Sequence, residues 1–146
     1  MRTGSGDNSL DTHRCQRVLA IPFKRSAPRP IEYLEYEEIQ AVLNTIDRST
    51  LYGRRDYALV ATLFNTGARV QEIVDIRATD LQLARPFHVR LLGKGRKERV
   101  CPLWHETAEV LRSYCTERQI DLQTKVSVFT NRNGKALSRF GVGYIL

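Results

Sequence analysis

The sequence is poor in residues that staple, tag or anchor a chain. It holds three cysteines, one methionine and one tryptophan in 146 residues. Cys15, Cys101 and Cys115 are an odd number, and no two stand in Cys-x-x-Cys spacing. That argues against a disulfide framework and against a zinc site, so no metal is expected. The thiols read as buried or incidental ones in a reducing compartment. No apolar run approaches the ~20 residues that span a bilayer. The opening MRTGSGDNSL has no apolar signal-peptide core either. The expectation is a cytoplasmic chain with no membrane partner. A Walker A loop is missing as well, because no Gly-Lys-[Ser/Thr] follows Gly93 at the required distance. Internal repeats and low-complexity tracts are absent.

What is present is an ordinary globular composition, 42% apolar and 27% charged. At this length one domain can bury roughly two-thirds of its unfolded surface. Lys and Arg number 23 against 16 acids, a net charge of +7, with a pI near 9.7. Such a surface favours polyanions, nucleic acid above all. The charge is also segregated. Residues 31–48 carry five acids and one base, and residues 85–99 carry six bases and one acid.

Residues 1–16 are polar and without periodicity, and they read as a disordered tail. PFKRSAPRP at 22–30, with three prolines and three bases, reads as an extended linker. The spacing then predicts a helix ending near Asp47. Ile39, Val42, Leu43 and Ile46 form its stripe, Glu35 and Glu38 form a capping box, and Leu34 staples onto Ile39. A second, core helix is expected from about Arg54 to Asn65, stopped by Gly67. A third runs from Ala68 to about Ile76. The period then changes to two. Leu81 and Leu83 form a short strand, 87–92 a better one, and Arg99–Cys101 returns as an antiparallel hairpin ended by Pro102. A helix from Glu106 to Glu117, an extended piece at Val126 and Val128, and a turn at Asn131–Gly134 follow. Ser138 caps a last helix on which Phe140, Val142, Tyr144, Ile145 and Leu146 begin an apolar pattern. That pattern places Tyr144 in the core and leads us to expect a missing C-terminal part. Trp104 is expected to pack.

Two features carry chemistry. Arg69 opens a helix just after a Gly break, where a guanidinium beside free N–H groups suits an oxyanion or phosphate. Glu72, three residues on, shares its face and can orient it. On spacing alone a surface ion pair worth little is the favoured reading. The second is the hairpin tip, where Lys94 stands between two glycines and Arg96, Lys97 and Arg99 add phosphate-directed charge. A solvated basic turn is the plain alternative.

TGARVQEIVDIRATDL followed by LLGKGRKERVCPLW resembles the tyrosine recombinases, also called phage integrases. YLEYEEIQAVL and GRRDYALVATLFNTGAR upstream, and VFTNRNGKALSRFGVGYIL downstream, resemble the same family, its transposon-borne members above all. The resemblance covers about residues 20–146. It implies an α+β, mostly α fold: an incomplete catalytic domain at 31–146 with a small antiparallel sheet, preceded at 1–30 by tail and linker remnant. It implies that Arg69 clamps a scissile phosphate, that Glu72 supports it, and that Lys94 is general acid toward the leaving 5′-oxygen. Lys94, Arg96, Lys97 and Arg99 would bind DNA, and no cofactor is implied. The family's His-x-x-Arg box is absent, since Gln16, Leu91 and Ala108 stand three residues after His13, His88 and His105. No tyrosine occupies the nucleophile's downstream place. The expected function is therefore a DNA-binding fragment of a recombinase, inactive alone. The alternatives are a non-catalytic modulator that partners an intact recombinase protomer and a basic RNA-associated protein.

Overall fold

A computed structural model describes residues 35–146. The expected tail and linker, Cys15 and the staple residue Leu34 lie outside the described residues. Helix α1 (Tyr36–Thr45) starts as its capping box requires: the Glu38 carboxylate accepts the Glu35 N–H at 2.8 Å. Of its stripe, Leu43 is buried and Ile39 and Ile46 pack beside it, whereas Val42 is exposed.

Helix α2 (Leu51–Thr66) begins three residues before the expected Arg54. Glycine disfavours helix, yet Gly53 lies in the first turn of α2, where the Thr50 hydroxyl accepts its N–H at 3.0 Å and caps the helix. Ala58, Leu59, Val60 and Thr62 are the buried face of α2. Thr62 is satisfied there by donating its hydroxyl hydrogen to the Ala58 carbonyl at 2.7 Å. Gly67 ends the helix in the left-handed region, at φ +60°. Helix α3 (Val70–Val74) is shorter than the expected 68–76, because Arg69 is its extended cap and Asp75 closes it.

After a single 3₁₀ turn at Ala78–Asp80 the chain forms an antiparallel sheet, ordered β1 (Leu81–Gln82), β2 (His88–Leu92), β3 (Glu98–Pro102). Alternation fixes its faces. Val89 and Leu91 are fully buried while Arg90 and Leu92 point out. Helix α4 (His105–Glu117) buries Thr107, Ala108, Leu111, Tyr114 and Cys115 and packs on α2. Residues 126–130 then run beside 76–78, with the Val128 N–H on the Ile76 carbonyl at 3.1 Å. This brings Phe129, fully buried, against the Tyr114 ring at 6.0 Å. The Tyr114 hydroxyl donates to the Val128 carbonyl at 3.2 Å. Helix α5 (Arg139–Gly143) is capped by Ser138, whose hydroxyl accepts the Gly141 N–H at 3.1 Å. The fold is α+β and mostly α, as read. Among the described residues no helix is long and apolar enough to cross a membrane.

Two packing expectations are corrected. Tyr144 is 93% exposed and not in the core, with Phe140 and Leu146 also exposed. Helix α5 is only five residues long and packs on α3; within it only Val142 is buried, and beyond its end Ile145 packs against the core while Tyr144 and Leu146 face out. Trp104 is 57% exposed. It is held by its backbone, whose N–H donates to Asn65 Oδ1 at 2.8 Å, and its ring lines a groove with Tyr36, Ile39 and Phe64.

Candidate functional site

The break at Gly67 and the turn of the β2–β3 hairpin lie on the same side of the molecule. Between them is an open cleft of about 430 Å³, lined by Gly67, Arg69, Glu72, Gly93, Lys94, Lys97, Glu98 and Arg99. Arg69 and Lys94, 25 positions apart in sequence, therefore face one cavity. Arg69 reaches it because α2 must stop: the left-handed Gly67 turns the chain, and Arg69 caps α3 with extended backbone. Lys94 reaches it because the hairpin closes tightly. The Gly93 N–H donates to the Lys97 carbonyl at 2.8 Å, and the tip passes through left-handed backbone at Gly95 and Arg96.

Glu72 is only 5% exposed. Its carboxylate accepts the Arg69 N–H at 2.8 Å and both terminal nitrogens of Arg99, at 2.5 and 2.9 Å. The guanidinium it hydrogen-bonds is thus that of Arg99, while from Arg69, which lines the same cleft, it accepts the backbone N–H. In a helix of barely more than one turn, an acid three residues past the cap folds back on the cap's own N–H. The Arg99 fork holds the Glu72 carboxyl below its ordinary value against the opposing effect of burial, and the same bond pushes the Arg99 guanidinium up. Four cations line the cleft against two carboxylates. With Arg99 neutralised by Glu72, the charge left facing the cavity is that of Arg69, Lys94 and Lys97 against Glu98.

Of the residues singled out in the sequence, the structure brings Arg69, Glu72, Lys94, Lys97 and Arg99 together. Arg96 is not among the lining residues and stands exposed at the tip. Glu98 and Gly93 line the cleft without having been singled out. Their signal was the hairpin itself, whose closing residues must flank its tip. Among the described residues no group of three or more His, Cys, Asp or Glu side chains could hold a metal ion.

Comparison with known proteins adds the following. The model of the phage integrase family matches residues 32–145. A protein of Sinorhizobium fredii named as an integrase/recombinase, y4rC, is 41% identical over 131 residues, which is 90% of this chain and 39% of that protein. The tyrosine recombinase XerD of Halalkalibacterium halodurans is 34% identical over 124 residues, 83% of this chain and 41% of XerD. The chain thus spans about two fifths of the length of these curated relatives. Among solved structures, the XerH site-specific recombinase bound to palindromic difH substrate, a post-cleavage complex, superposes with a TM-score of 0.62. It shares 25% identity over 74% of this chain and 32% of XerH. XerA recombinase shares the fold, with a TM-score of 0.64 at 21% identity over 77% of this chain and 40% of XerA.

Proposed function

This chain belongs to the phage integrase family, and from that premise we propose that its basic cleft binds the phosphodiester backbone of DNA as the first half of a phosphotyrosine recombination site. Arg69 holds the non-bridging oxygens of one phosphate. Lys94 stands as proton donor toward the 5′-oxygen that leaves on cleavage. Glu72 supports the Arg69 cap by accepting its N–H, and Arg96 and Lys97 contact neighbouring phosphates. The transition state of such a reaction spreads negative charge over a phosphorane, which fixed cations stabilise. The observation that carries the reading is the convergence of Arg69 and Lys94 on one cavity. The 146 residues hold no His-x-x-Arg sequence. Without that box the second arginine and the histidine are missing from the phosphate clamp, so this chain alone binds DNA without breaking it.

Duplex titration over a range of salt concentrations tests the binding. Each phosphate contact contributes roughly −0.9 to the slope of log K against log[salt]. Lys97→Ala should therefore flatten the slope by about one such step, and the same affinity at all salt concentrations would sink the reading. A nicked suicide substrate run on a denaturing gel tests the chemistry, and a protease-sensitive shifted band would contradict it. Tyr144 is the group to check there, because its exposure leaves its hydroxyl free to react.

A second reading, that the chain acts through an intact recombinase protomer, is favoured by the apolar groove beside Tyr36, Phe64 and Trp104, whose aromatic rim is open. Co-sedimentation with a full-length recombinase, lost in Trp104→Glu, distinguishes it from DNA binding alone.

A further inference from the structure

The four bases of the hairpin are not equivalent, and position along β3 separates them. Arg99 lies opposite Leu91, and Cys101 opposite Val89. Residues directly opposite in an antiparallel pair share a face, and Leu91 and Val89 are fully buried. Arg99 is therefore sent to the inner face of the sheet while Glu98 and Val100 go out. On that face, at the rim of the cleft, the Arg99 side chain is still 44% exposed, and its guanidinium pairs with both carboxylate oxygens of Glu72, which is 5% exposed. One of those oxygens also receives the Arg69 N–H. The other lies so near Gly93 that a Cβ there would stand 3.2 Å from it. A single buried carboxylate thus meets the returning strand, the cap bearing Arg69 and the residue preceding Lys94.

We infer that Arg99 is a positioning residue: its fork-to-fork pair with Glu72 sets the Lys94 side of the cleft against the Arg69 side, and it is not a phosphate contact. The inference takes the cleft's role from the function proposed above. Its geometric core, the joining of two loops through one ion pair, stands apart from that role. With both terminal nitrogens engaged end-on, Arg99 has its charge balanced by Glu72 and keeps only its side-on edge, the Nε–H and one Nη–H, for any other partner. A lysine at 99 would keep the charge and lose the fork.

The test uses the full chain, ¹⁵N-labelled, with a random-sequence duplex as probe. In the free protein, Arg99→Lys should move the amide resonances of Arg69, Gly93 and Lys94 together, while Lys97→Ala moves only those of the tip. If Arg99→Lys shifts β3 alone and leaves Arg69 and Lys94 where they were, the pair does not position the cleft. In binding, Arg99→Lys and Arg99→Met should weaken the duplex alike, by roughly tenfold, the size of one charge-assisted contact. A phosphate contact would instead leave Arg99→Lys near the parent affinity. Should the variants fail to fold, the Arg99 side-chain Nη signals of the parent decide. They stay unchanged on adding duplex if the pair is a positioning contact, and move or broaden if the guanidinium turns to phosphate. A chain that binds no duplex at any salt concentration would remove the proposed function and leave the free-protein shifts to judge the pair.

Discussion

Gly53→Ala sets helix propensity against packing, and the two demand opposite signs. Gly53 lies in the first turn of α2, where alanine is better than glycine by up to ~1 kcal/mol on propensity. A Cβ at that position would lie 1.6 Å from the Asp47 carbonyl oxygen, 2.8 Å from its carbon and 3.1 Å from Thr50 Oγ1. Ordinary separation requires a retreat of roughly 2 Å. The segment that must retreat is tied on several sides. The Arg54 guanidinium donates to the Arg48 and Ser49 carbonyls at 2.8 and 2.9 Å and pairs with Glu117 on α4. The Asp47 carboxylate accepts the Ser49 N–H and hydroxyl, both at 2.9 Å. Moving the Asp47 carbonyl loosens all of these or pushes the start of α2 off its cap. Overpacking of this kind costs ~1–3 kcal/mol, and with contacts as short as 1.6 Å to backbone the cost belongs at the upper end, so that after the propensity gain a net loss of up to about 2 kcal/mol remains. Gly143 is the control, since it lies at the end of α5 with nothing within 4 Å of its added Cβ. Gly143→Ala should be neutral or slightly stabilising. Urea unfolding of both variants reads the difference as a midpoint shift at constant m. A Gly53→Ala midpoint at or above that of the parent, with Gly143→Ala behaving as stated, would refute the packing argument.

Phe129→Ala removes the largest fully buried side chain and should cost ~3–5 kcal/mol, seen as a large fall in urea midpoint; a loss below 1 kcal/mol would mean that the Tyr114–Phe129 stack is not central. Glu72 is held below the ordinary 4.5, so its stabilisation is full above that pH and is lost as pH falls through its lowered value. The stability gap between the parent and Glu72→Gln should accordingly be widest near neutrality and close in acid, and a gap that widens in acid would reverse the assignment. Burial pushes the Cys115 thiol up to about 11 from 9.0, so its contribution is full below pH 9 and disappears as pH rises through 11. At pH 8 iodoacetamide should label half-buried Cys101 well before Cys115, and peptide mapping that finds the reverse order contradicts this burial.

Much of this was legible because local signals agreed with the fold. The capping box at Glu35 and Glu38, the stop at Gly67 and the change of period before β2 each arise from nearby residues, and each stands where the pattern put it. The start of α2 was not legible. The need for glycine at 53 comes from the Asp47 carbonyl across a turn, and a one-dimensional reading sees only a residue that disfavours helix. Tyr144 and Trp104 failed for a related reason. Apolar character predicts burial only if another element arrives to cover it, and no sequence period says whether one does. At the cleft, composition hid the useful distinction. Counting bases over 85–99 grouped Arg99 with Lys97, whereas alternation along β3 would have sent Arg99 inward and raised the question of its partner.

The strand that carries Arg99 is also an outer edge of the sheet, and among the described residues no further strand pairs with it. Open edges invite a second chain to add itself to the ladder. Three residues of β3 guard against this: Glu98 and Arg99 place charge at one end and Pro102 withholds an N–H at the other, with exposed Val100 standing between them. The residue that joins the two loops thus also contributes one of the charges along an open edge, beside Glu98 and short of Pro102.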